Sequence, residues 1–488
     1  MFHHDESTSR RQFILNSAAG ITAGSLLSAV SAPVFAQEQA ARTRQATGVK
    51  VGEVTDTSAI VWMRLTANAG RNADGQYIRN TAPLPENVRI EQLRGACPGA
   101  AGRVRLRYAD NEDLQNATST DWHNVTARTD FSHQFRLTNL RANTTYYFAA
   151  ETSGPNGNPE HAPLRGRFQT APGANDYEDV TFTVITGQAY RDLDNQAGYN
   201  IYPVMLRLNP KFIIPTGDTV YYDNDGVLAS TPEICRHHWD RMYSLPRHVN
   251  FHLNVPGYWE KDDHDVYYND CWPGRRIERM NPMTFERGQA IYREQVPMGE
   301  QIYRTFRWGR GLQIWVVEGR DFRSPNNMPD GPNKTIWGRE QKQWLMRTMQ
   351  ASNAIFKVLI SPTPIVGPDR PNKRDNHANR AFQTEGDEIR RWFQQNLGNE
   401  RFAVCCGDRH WQYHSVHPQS QVQEFSCGPV SNQHSGGSPG LDRNYHRFHR
   451  VRGGFLSVNF RREGENNRLY FRLHDVAGEV VYEYTMRG

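Results

Sequence analysis

The chain has 488 residues, of which 37% are hydrophobic and 22% are charged. This composition is typical of a folded globular protein and excludes a disordered or fibrous chain. A chain of this length rarely folds around a single hydrophobic core, so two domains are expected. The formal net charge of +5 is small for this length and gives no reason to infer nucleic-acid binding.

The basic residues are unevenly divided, because only seven of the 57 are lysines and the rest are arginines. Guanidinium groups bind phosphate through two parallel hydrogen bonds, so this bias suits a phosphate or another oxyanion ligand. A general compositional bias of the genome also explains it, and both interpretations stay open.

The first residues have the pattern of a targeting segment. Ser9–Leu15 contains a twin-arginine motif, the mildly apolar stretch Ile21–Val30 follows it, and Val34–Ala36 offers small residues at a cleavage site. Residues 1–36 are therefore predicted to be a twin-arginine signal peptide. We expect export through the twin-arginine machinery to the periplasm or the medium, and no transmembrane segment in the mature chain.

The stretch Gly48–Thr170 has the pattern of an all-β domain. Ser58–Leu65 alternates apolar and polar residues as a half-buried strand does, and turns rich in Asn, Gly and Pro separate such segments. Leu140–Tyr147 resembles the corner of fibronectin type III-like sandwiches, with Ala142 where proline is usual. We expect a fibronectin type III-like β-sandwich over residues 46–172.

After a polar linker at Ala171–Asp179, strands and helices alternate. Apolar residues spaced at i, i+3, i+4 and i+7 from Ile201 to Leu208 indicate one face of a helix. The other main predicted elements are strands at Thr181–Ile185, Phe212–Ile214, Leu312–Val317, Phe356–Ile360 and Phe402–Cys406, and helices at Arg339–Met349 and Glu388–Leu397. An α/β domain is expected over residues 178–486, with functional residues just past the carboxyl ends of its strands.

Three clusters of acidic and histidine residues follow strand-like segments of this second domain. The first contains Asp218 and Tyr221, the second is Asp262–Asp265, and the third contains Asp408 and His410. Each motif alone is weak, since Gly-Asp turns are common and a single histidine is more often structural. Three such clusters, each after a strand, are hard to explain as turns.

Carboxylates that meet at strand ends repel each other and are costly to desolvate. Divalent or trivalent cations remove that penalty, and oxygen ligands suit Ca²⁺, Mg²⁺, Mn²⁺ or Fe³⁺. Imidazole from His264 or His410 would complete a mixed site. A pair of metal ions is also a common way to hold the attacking and leaving oxygens of a phosphoryl displacement. The pattern therefore indicates a metal site suited to phosphoester chemistry.

These clusters resemble the motifs of the alkaline phosphatase D (PhoD-like) family. Gly217–Tyr221 is similar to its GDxxY motif, Asp262–Val266 to its DDHE(V) motif and Gly407–His410 to its GDxH motif. Glu318–Arg323 and Trp337–Leu345 resemble two further stretches of the family. The twin-arginine signal and the preceding sandwich fit the same layout, so the resemblance covers nearly the whole chain.

The resemblance implies a two-domain fold, in which the N-terminal all-β sandwich precedes an α/β calcineurin-like metallophosphoesterase domain with paired β-sheets flanked by helices. It implies that metal ions, Ca²⁺ with Fe³⁺ as a further candidate, are held by Asp218, Tyr221, Asp263, Asp408 and His410. His264 would lie beside the phosphate as a general acid or charge stabiliser. Arg320 would clamp the phosphate, with an ordinary surface arginine as the alternative.

The chain departs from the family pattern at several positions. Gly187 stands where relatives have a cysteine that binds iron, so no thiolate is present there. Asp192 and Asp194 follow it and are either replacement ligands or solvated loop acids. Glu318 replaces an aspartate. His377 lies in a loop of the second domain, and whether it contributes to the site stays open.

We therefore expect an exported phosphoester hydrolase in which a metal-activated hydroxide attacks phosphorus in line. The sequence does not separate phosphomonoesters from phosphodiesters. One alternative is a non-catalytic extracytoplasmic polymer-binding protein on a degenerate phosphatase scaffold, which the glycine at position 187 favours and the retained acids and imidazoles oppose. Another alternative keeps the fold and metals but performs a different ester or oxyanion transfer.

Overall fold

The structure is a computed structural model that describes residues 43–79, 81–156, 161–398 and 400–488. The predicted signal peptide, residues 1–36, lies outside the described residues. Within the described ranges, no helix is long and apolar enough to cross a membrane.

The N-terminal part consists of two antiparallel sheets packed face to face. Its strands are β1 (Val49–Gly52), β2 (Ala59–Arg64), β3 (Gly102–Ala109), β4 (Thr118–Ser119), β5 (His123–Val125), β6 (Ser132–Leu137), β7 (Thr145–Ser153) and β8 (Leu164–Gln169). One sheet has the order β1-β2-β6, and the other has the order β4-β3-β7-β8 with β5 also paired to β3. This is the sandwich that the strand pattern predicted.

Apolar side chains from both sheets fill the space between them. Val61 and Phe135 from the first sheet and Leu106 and Phe148 from the second belong to one buried cluster. A hydrogen bond closes the corner at the start of β7, where the Arg141 backbone N–H donates to the Tyr146 hydroxyl at 2.9 Å. Such a bond fixes the chain where it crosses between sheets.

The second part begins after residues 171–179, which contain no helix or strand. Its strands are β9 (Val180–Ile185), β10 (Phe212–Pro215), β11 (Arg304–Trp308), β12 (Leu312–Val316), β13 (Phe356–Ser361), β14 (Phe402–Cys406), β15 (Gln412–Val416), β16 (Gln423–Cys427), β17 (His446–Arg450), β18 (Gly454–Glu463), β19 (Asn466–Asp475) and β20 (Val480–Arg487). Its helices are α1 (Ile201–Arg207), α2 (Pro232–Tyr243), α3 (Pro246–His252), α4 (Phe285–Gln295), α5 (Gly338–Ala351) and α6 (Gln383–Asn396). The helix predicted to begin at Glu388 thus begins five residues earlier.

These strands form two mixed sheets with the orders β10-β9-β18-β19-β20 and β11-β12-β13-β14-β16-β15-β17. Their facing sides share one buried cluster, to which Phe182 and Ile214 contribute from the first sheet and Ile314 and Phe425 from the second. Because this core is covered on both sides, the central strands are apolar almost throughout and do not alternate.

Helices cover the outer face of each sheet. Ile213 on the outer side of β10 packs with α2 through Trp239, and Val404 on β14 packs with α5 and α6 through Leu345 and Ile389. In α5, buried residues recur at Gln341, Leu345 and Met349, which is the spacing of one helix face. The resulting helix–sheet–sheet–helix arrangement confirms the predicted fold class.

The direction of the strands places several loops at one edge of the two sheets. β9 and β10 are parallel, and so are β13, β14 and β16. Beyond β9 and β16, Thr186 and Pro429 form a parallel bridge that joins the two sheets. The Asp408 backbone N–H, just past β14, donates to the Thr186 hydroxyl at 3.3 Å. The carboxyl ends of these strands therefore meet, and the candidate site lies there.

Candidate metal centre

The loop after β10 presents Asp218 in a left-handed conformation, with φ of 54°. The Asp265 carboxylate holds this loop by accepting from the backbone N–H groups of Asp218 at 2.7 Å and Thr219 at 2.8 Å. Burial and the neighbouring Asp218 carboxylate raise the pKa of Asp265 to about 7. The last acid of the second motif therefore ties the first two motifs together and does not face the cleft.

Gly217 is required because two backbones approach closely here. Its φ is 91°, and a Cβ atom at this position would lie 2.5 Å from the Cβ atom of Asp262. Any larger residue would push the first and second motifs apart. The glycine of GDxxY thus has a packing role at the site.

The Tyr221 hydroxyl is the meeting point of three side chains. It donates to Asp218 Oδ2 at 3.1 Å, and it lies 3.4 Å from His410 Nε2 and 2.8 Å from His434 Nε2. Burial and the Asp218 carboxylate raise the pKa of the Tyr221 phenol well above its usual value. Burial and the His434 ring lower the pKa of His410 to about 4. Without a cation, the phenol and the His410 imidazole are therefore neutral.

The second motif places two carboxylates behind the cleft. Asp262 Oδ1 accepts from Arg320 Nε at 2.5 Å, and Asp263 Oδ1 lies 3.6 Å from Arg320 Nη2. Asp263 Oδ2 accepts from the Asp270 backbone N–H at 2.5 Å. Each carboxylate thus uses one oxygen in a hydrogen bond within the protein, and Asp263 Oδ1 makes only the longer ion pair with Arg320.

The remaining oxygens fit a cation. Asp218 Oδ1, Asp262 Oδ2 and Asp263 Oδ1 are buried without a hydrogen-bond partner, which is costly for a carboxylate. Potential ligand atoms of Asp218, Asp263 and His264 lie within 4.8 Å of one another, as do those of Asp218, Asp262 and Asp408. Such clustered oxygens suit hard metal ions. The residues present therefore fit the metal centre that the sequence motifs predicted.

His264 is held by a carboxylate from the first loop. Its Nδ1 lies 2.6 Å from Asp223 Oδ1, and both side chains are buried. Burial alone would lower the pKa of His264, but the carboxylates of Asp223, Asp263 and Asp218 outweigh it and raise that pKa well above its usual value. The imidazole is therefore an oriented cation beside the carboxylate cluster.

These groups surround a cleft of 470 Å³. Its lining includes five of the seven predicted site residues, namely Asp218, Tyr221, His264, Asp408 and His410. It also includes the cations Arg191, Arg370 and Lys373 and the side chains of Asp192 and His434. A cleft lined by both carboxylates and cations suits an anionic ligand bound over metal ions.

Two predictions need correction or refinement. Arg320 is fully buried and contacts Asp262 and Asp263, so its position does not support the predicted phosphate clamp. His377 is not among the residues that line the cleft. Its Nε2 lies 2.9 Å from a Glu385 carboxylate oxygen. In both cases tertiary packing places a carboxylate next to the charged or polar group.

His434 was not among the predicted site residues, and no role was predicted for Asp223. His434 follows β16, so its place beyond the carboxyl end of a parallel strand was the available signal. Asp192 Oδ2 lies 2.8 Å from His434 Nδ1. Asp194 Oδ2 accepts a hydrogen bond from the Asn200 backbone N–H at 2.7 Å. Neither acid is an unbonded loop residue.

The paired sheets between helices, with carboxylates and imidazoles at the ends of parallel strands, define a protein of the metallophosphoesterase fold. Residues 182–457 match the family model of the PhoD-like phosphatase, and residues 29–172 match that of the PhoD-like phosphatase N-terminal domain. The chain belongs to the PhoD-like phosphatase family, as its motifs indicated.

Comparison with individual proteins agrees with this assignment. Alkaline phosphatase D of Bacillus subtilis (strain 168) is 24% identical over 350 residues, which cover 64% of this chain and 54% of the relative. The chain thus spans about half the length of this curated relative. A solved structure of PhoD superimposes with a TM-score of 0.69 at 17% identity, covering 91% of this chain and 89% of the other.

A more distant similarity extends over both parts of the chain. Purple acid phosphatase PPD1 from yellow lupin (Lupinus luteus) seeds superimposes with a TM-score of 0.61 at 11% identity, covering 90% of this chain and 74% of the other. At this identity the similarity shows a shared fold.

Proposed function

We propose that this chain is a metal-dependent phosphoester hydrolase that acts outside the cytoplasm. The observation that carries the proposal is the group of buried carboxylate oxygens without hydrogen-bond partners, on Asp218, Asp262 and Asp263, behind a cleft in a PhoD-like phosphatase. One guanidinium, that of Arg320, serves both Asp262 and Asp263, so further positive charge would stabilise the three buried acids. The twin-arginine motif at Ser9–Leu15 supports export.

The metal ions would be held by the predicted ligands Asp218, Tyr221, Asp263, Asp408 and His410, and Asp218 belongs to both groups of clustered ligand atoms. Calcium would suit the carboxylate oxygens, and ferric iron is the further candidate, for which the Tyr221 phenol would be a suitable donor. Bound cations would polarise an attacking water and neutralise charge on the phosphoryl oxygens.

The protein side chains orient the ester and supply a proton. Asp223 fixes His264 through Nδ1, which leaves Nε2 to donate a hydrogen bond to a phosphoryl or leaving-group oxygen. Arg370 lines the same cleft and would take the phosphate-binding role that Arg320 is too buried to perform. Lys373 also lines the cleft, but its ammonium group is paired with Asp270 and Asp375.

The test uses the purified full chain supplied with Ca²⁺ and Fe³⁺. Metal content is measured together with hydrolysis of p-nitrophenyl phosphate and bis-p-nitrophenyl phosphate. Asp263→Ala is expected to lose bound metal and hydrolysis together. His264→Ala is expected to keep its metal and lose about 10²- to 10⁴-fold in kcat, the usual contribution of a general acid.

The matched control is His417→Ala, since His417 is partly buried but lies outside the cleft. It should retain both metal and activity. If the intact chain binds metal but cleaves neither ester, the proposal is wrong, and a binding role or another transfer reaction takes its place. The ester that is cleaved faster identifies the preferred class of substrate.

A further inference from the structure

The space beside Gly187 is filled by imidazole rings. Gly187 follows β9 with φ of 62°, and a Cβ atom there would lie 3.3 Å from Cδ2 of His410 and 3.3 Å from Cδ2 of His434. The backbone conformation is one that residues with side chains rarely adopt. Gly187 therefore supplies no side-chain donor to the centre, and Pro429 and two imidazole rings from other loops occupy its surroundings.

One of these rings, His434, is fixed on a short 3-10 turn, Asn432–His434, beyond β16. Ser431 caps the turn by accepting from the Gln433 backbone N–H at 3.2 Å, and its hydroxyl donates to Asp194 Oδ1 at 3.2 Å. The His434 side chain is only 6% exposed. The histidine is therefore held in place by the fold and does not belong to a freely moving loop.

Both nitrogens of His434 have partners that fix its orientation. Nδ1 lies 2.8 Å from Asp192 Oδ2, and Nε2 lies 2.8 Å from the Tyr221 hydroxyl. A carboxylate on one imidazole nitrogen is the arrangement that directs the other nitrogen toward a metal ion. The Tyr221 hydroxyl also meets Asp218 Oδ2 at 3.1 Å, and Asp218 Oδ1 is buried without a partner.

We propose that His434 is a metal ligand, with Asp192 as the residue that positions it, and that it completes a centre with Asp218, Tyr221 and His410. The inference rests on the proposed metal centre and adds a residue to it. The donor set would be two imidazoles, one phenol and one carboxylate. No cysteine lies among the described residues that line the cleft, so the centre is built from nitrogen and oxygen without sulfur.

This donor set has a chemical consequence. Imidazole suits zinc, iron, nickel and copper, whereas thiolate favours softer ions. A centre with imidazole in place of thiolate would therefore still suit iron and would show no sulfur-to-metal charge transfer. The residue that compensates for the glycine is 247 positions away in sequence, which is why neither loop alone reveals it.

The test measures metal binding directly, using the full chain and Co²⁺ or Fe³⁺ alone as the probe. Bound metal is quantified after gel filtration, and the Co²⁺ dissociation constant is taken from its visible absorption. Asp192→Asn is expected to weaken Co²⁺ binding about 10- to 100-fold, as loss of a positioning carboxylate does. His434→Ala should weaken it at least as much and shift the cobalt spectrum.

Two further variants keep the result interpretable. His434→Gln retains a polar side chain of similar reach and serves if His434→Ala fails to fold, as judged by circular dichroism. His449→Ala is the matched control, because His449 bonds Ser438 at 2.7 Å and does not line the cleft. It should bind Co²⁺ like the unaltered chain.

The inference is overturned if folded His434→Ala or His434→Gln binds Co²⁺ with the affinity and spectrum of the unaltered chain. Ester hydrolysis is recorded separately. If His434 variants lose metal but the unaltered chain cleaves no ester, His434 is a ligand and the proposed hydrolase function fails. If the unaltered chain is active and the variants keep their metal, only the His434 assignment fails.

Discussion

Replacing Asp223 with asparagine tests whether the His264 imidazole depends on its carboxylate partner. The substitution removes one negative charge while the size of the side chain hardly changes. Asparagine can still accept the hydrogen bond that the Asn269 backbone N–H now donates to Asp223 Oδ2 at 2.9 Å. The loop geometry should therefore survive, and the change is confined to the partner of His264.

The expected loss follows from the contact itself. His264 Nδ1 and Asp223 Oδ1 lie 2.6 Å apart in buried surroundings, and a hydrogen bond between charged groups contributes about 1.5–3 kcal/mol. Since about 1.4 kcal/mol of barrier equals a factor of ten in rate, kcat should fall about 10- to 100-fold. Metal content should not change, because both Asp223 oxygens are bonded within the protein, Oδ1 to His264 and Oδ2 to the Asn269 backbone N–H.

Steady-state kinetics on the better p-nitrophenyl ester, with metal analysis of the same samples, gives the answer. Glu385→Gln is the matched control, because Glu385 forms a similarly buried pair with His377 outside the cleft. It should leave kcat unchanged. If Asp223→Asn retains kcat within about twofold of the unaltered chain at full metal content, the carboxylate does not support His264 in the reaction, and the reasoning is refuted.

Two further predictions concern stability. Arg320→Leu leaves the Asp262 carboxylate buried without its partner and should lower the free energy of unfolding by about 3–5 kcal/mol in urea titrations. Replacement of the exposed Arg380 by leucine should change the free energy of unfolding by less than about 0.5 kcal/mol. Equal values for the two variants would contradict the role of Arg320 as the buried partner of Asp262. Burial would raise the pKa of Glu385, but the hydrogen bond from His377 and other donors outweighs it and lowers that pKa from 4.5 to about 2. Because the folded-state pKa lies below the unfolded value, this stabilisation is present above about pH 4.5 and is lost as the pH falls toward 2. Glu385→Gln should therefore be less stable than the unaltered chain by about 3 kcal/mol at pH 7, and urea titrations that give a constant difference down to pH 2.5 would refute the pairing.

Local sequence patterns were sufficient to predict the architecture. The strand at Ala59–Arg64 and the i, i+3, i+4 spacing from Ile201 could be predicted because both signals depend on neighbouring residues. The half-burial expected of that strand was wrong, since every residue of β2 is buried. The motif around Gly217 was visible for a similar reason, since its backbone conformation is set by residues next to it. The family resemblance joined these local signals into a correct two-part fold, and the first and third motifs lie where parallel strands end. The second motif follows residues 253–261, which form isolated bridges and no strand.

Only the tertiary structure decided which charged groups face the cleft. Arg320 stands in a motif, yet packing buries it against Asp262, and no local pattern distinguishes such an arginine from one on the surface. His434 and Asp192 meet across 242 positions of sequence, in a contact that exists only after the two sheets pack together and the carboxyl ends of β9 and β16 meet. Pairing between residues so far apart is set by strand order, whereas periodicity and turn signals report only on nearby residues.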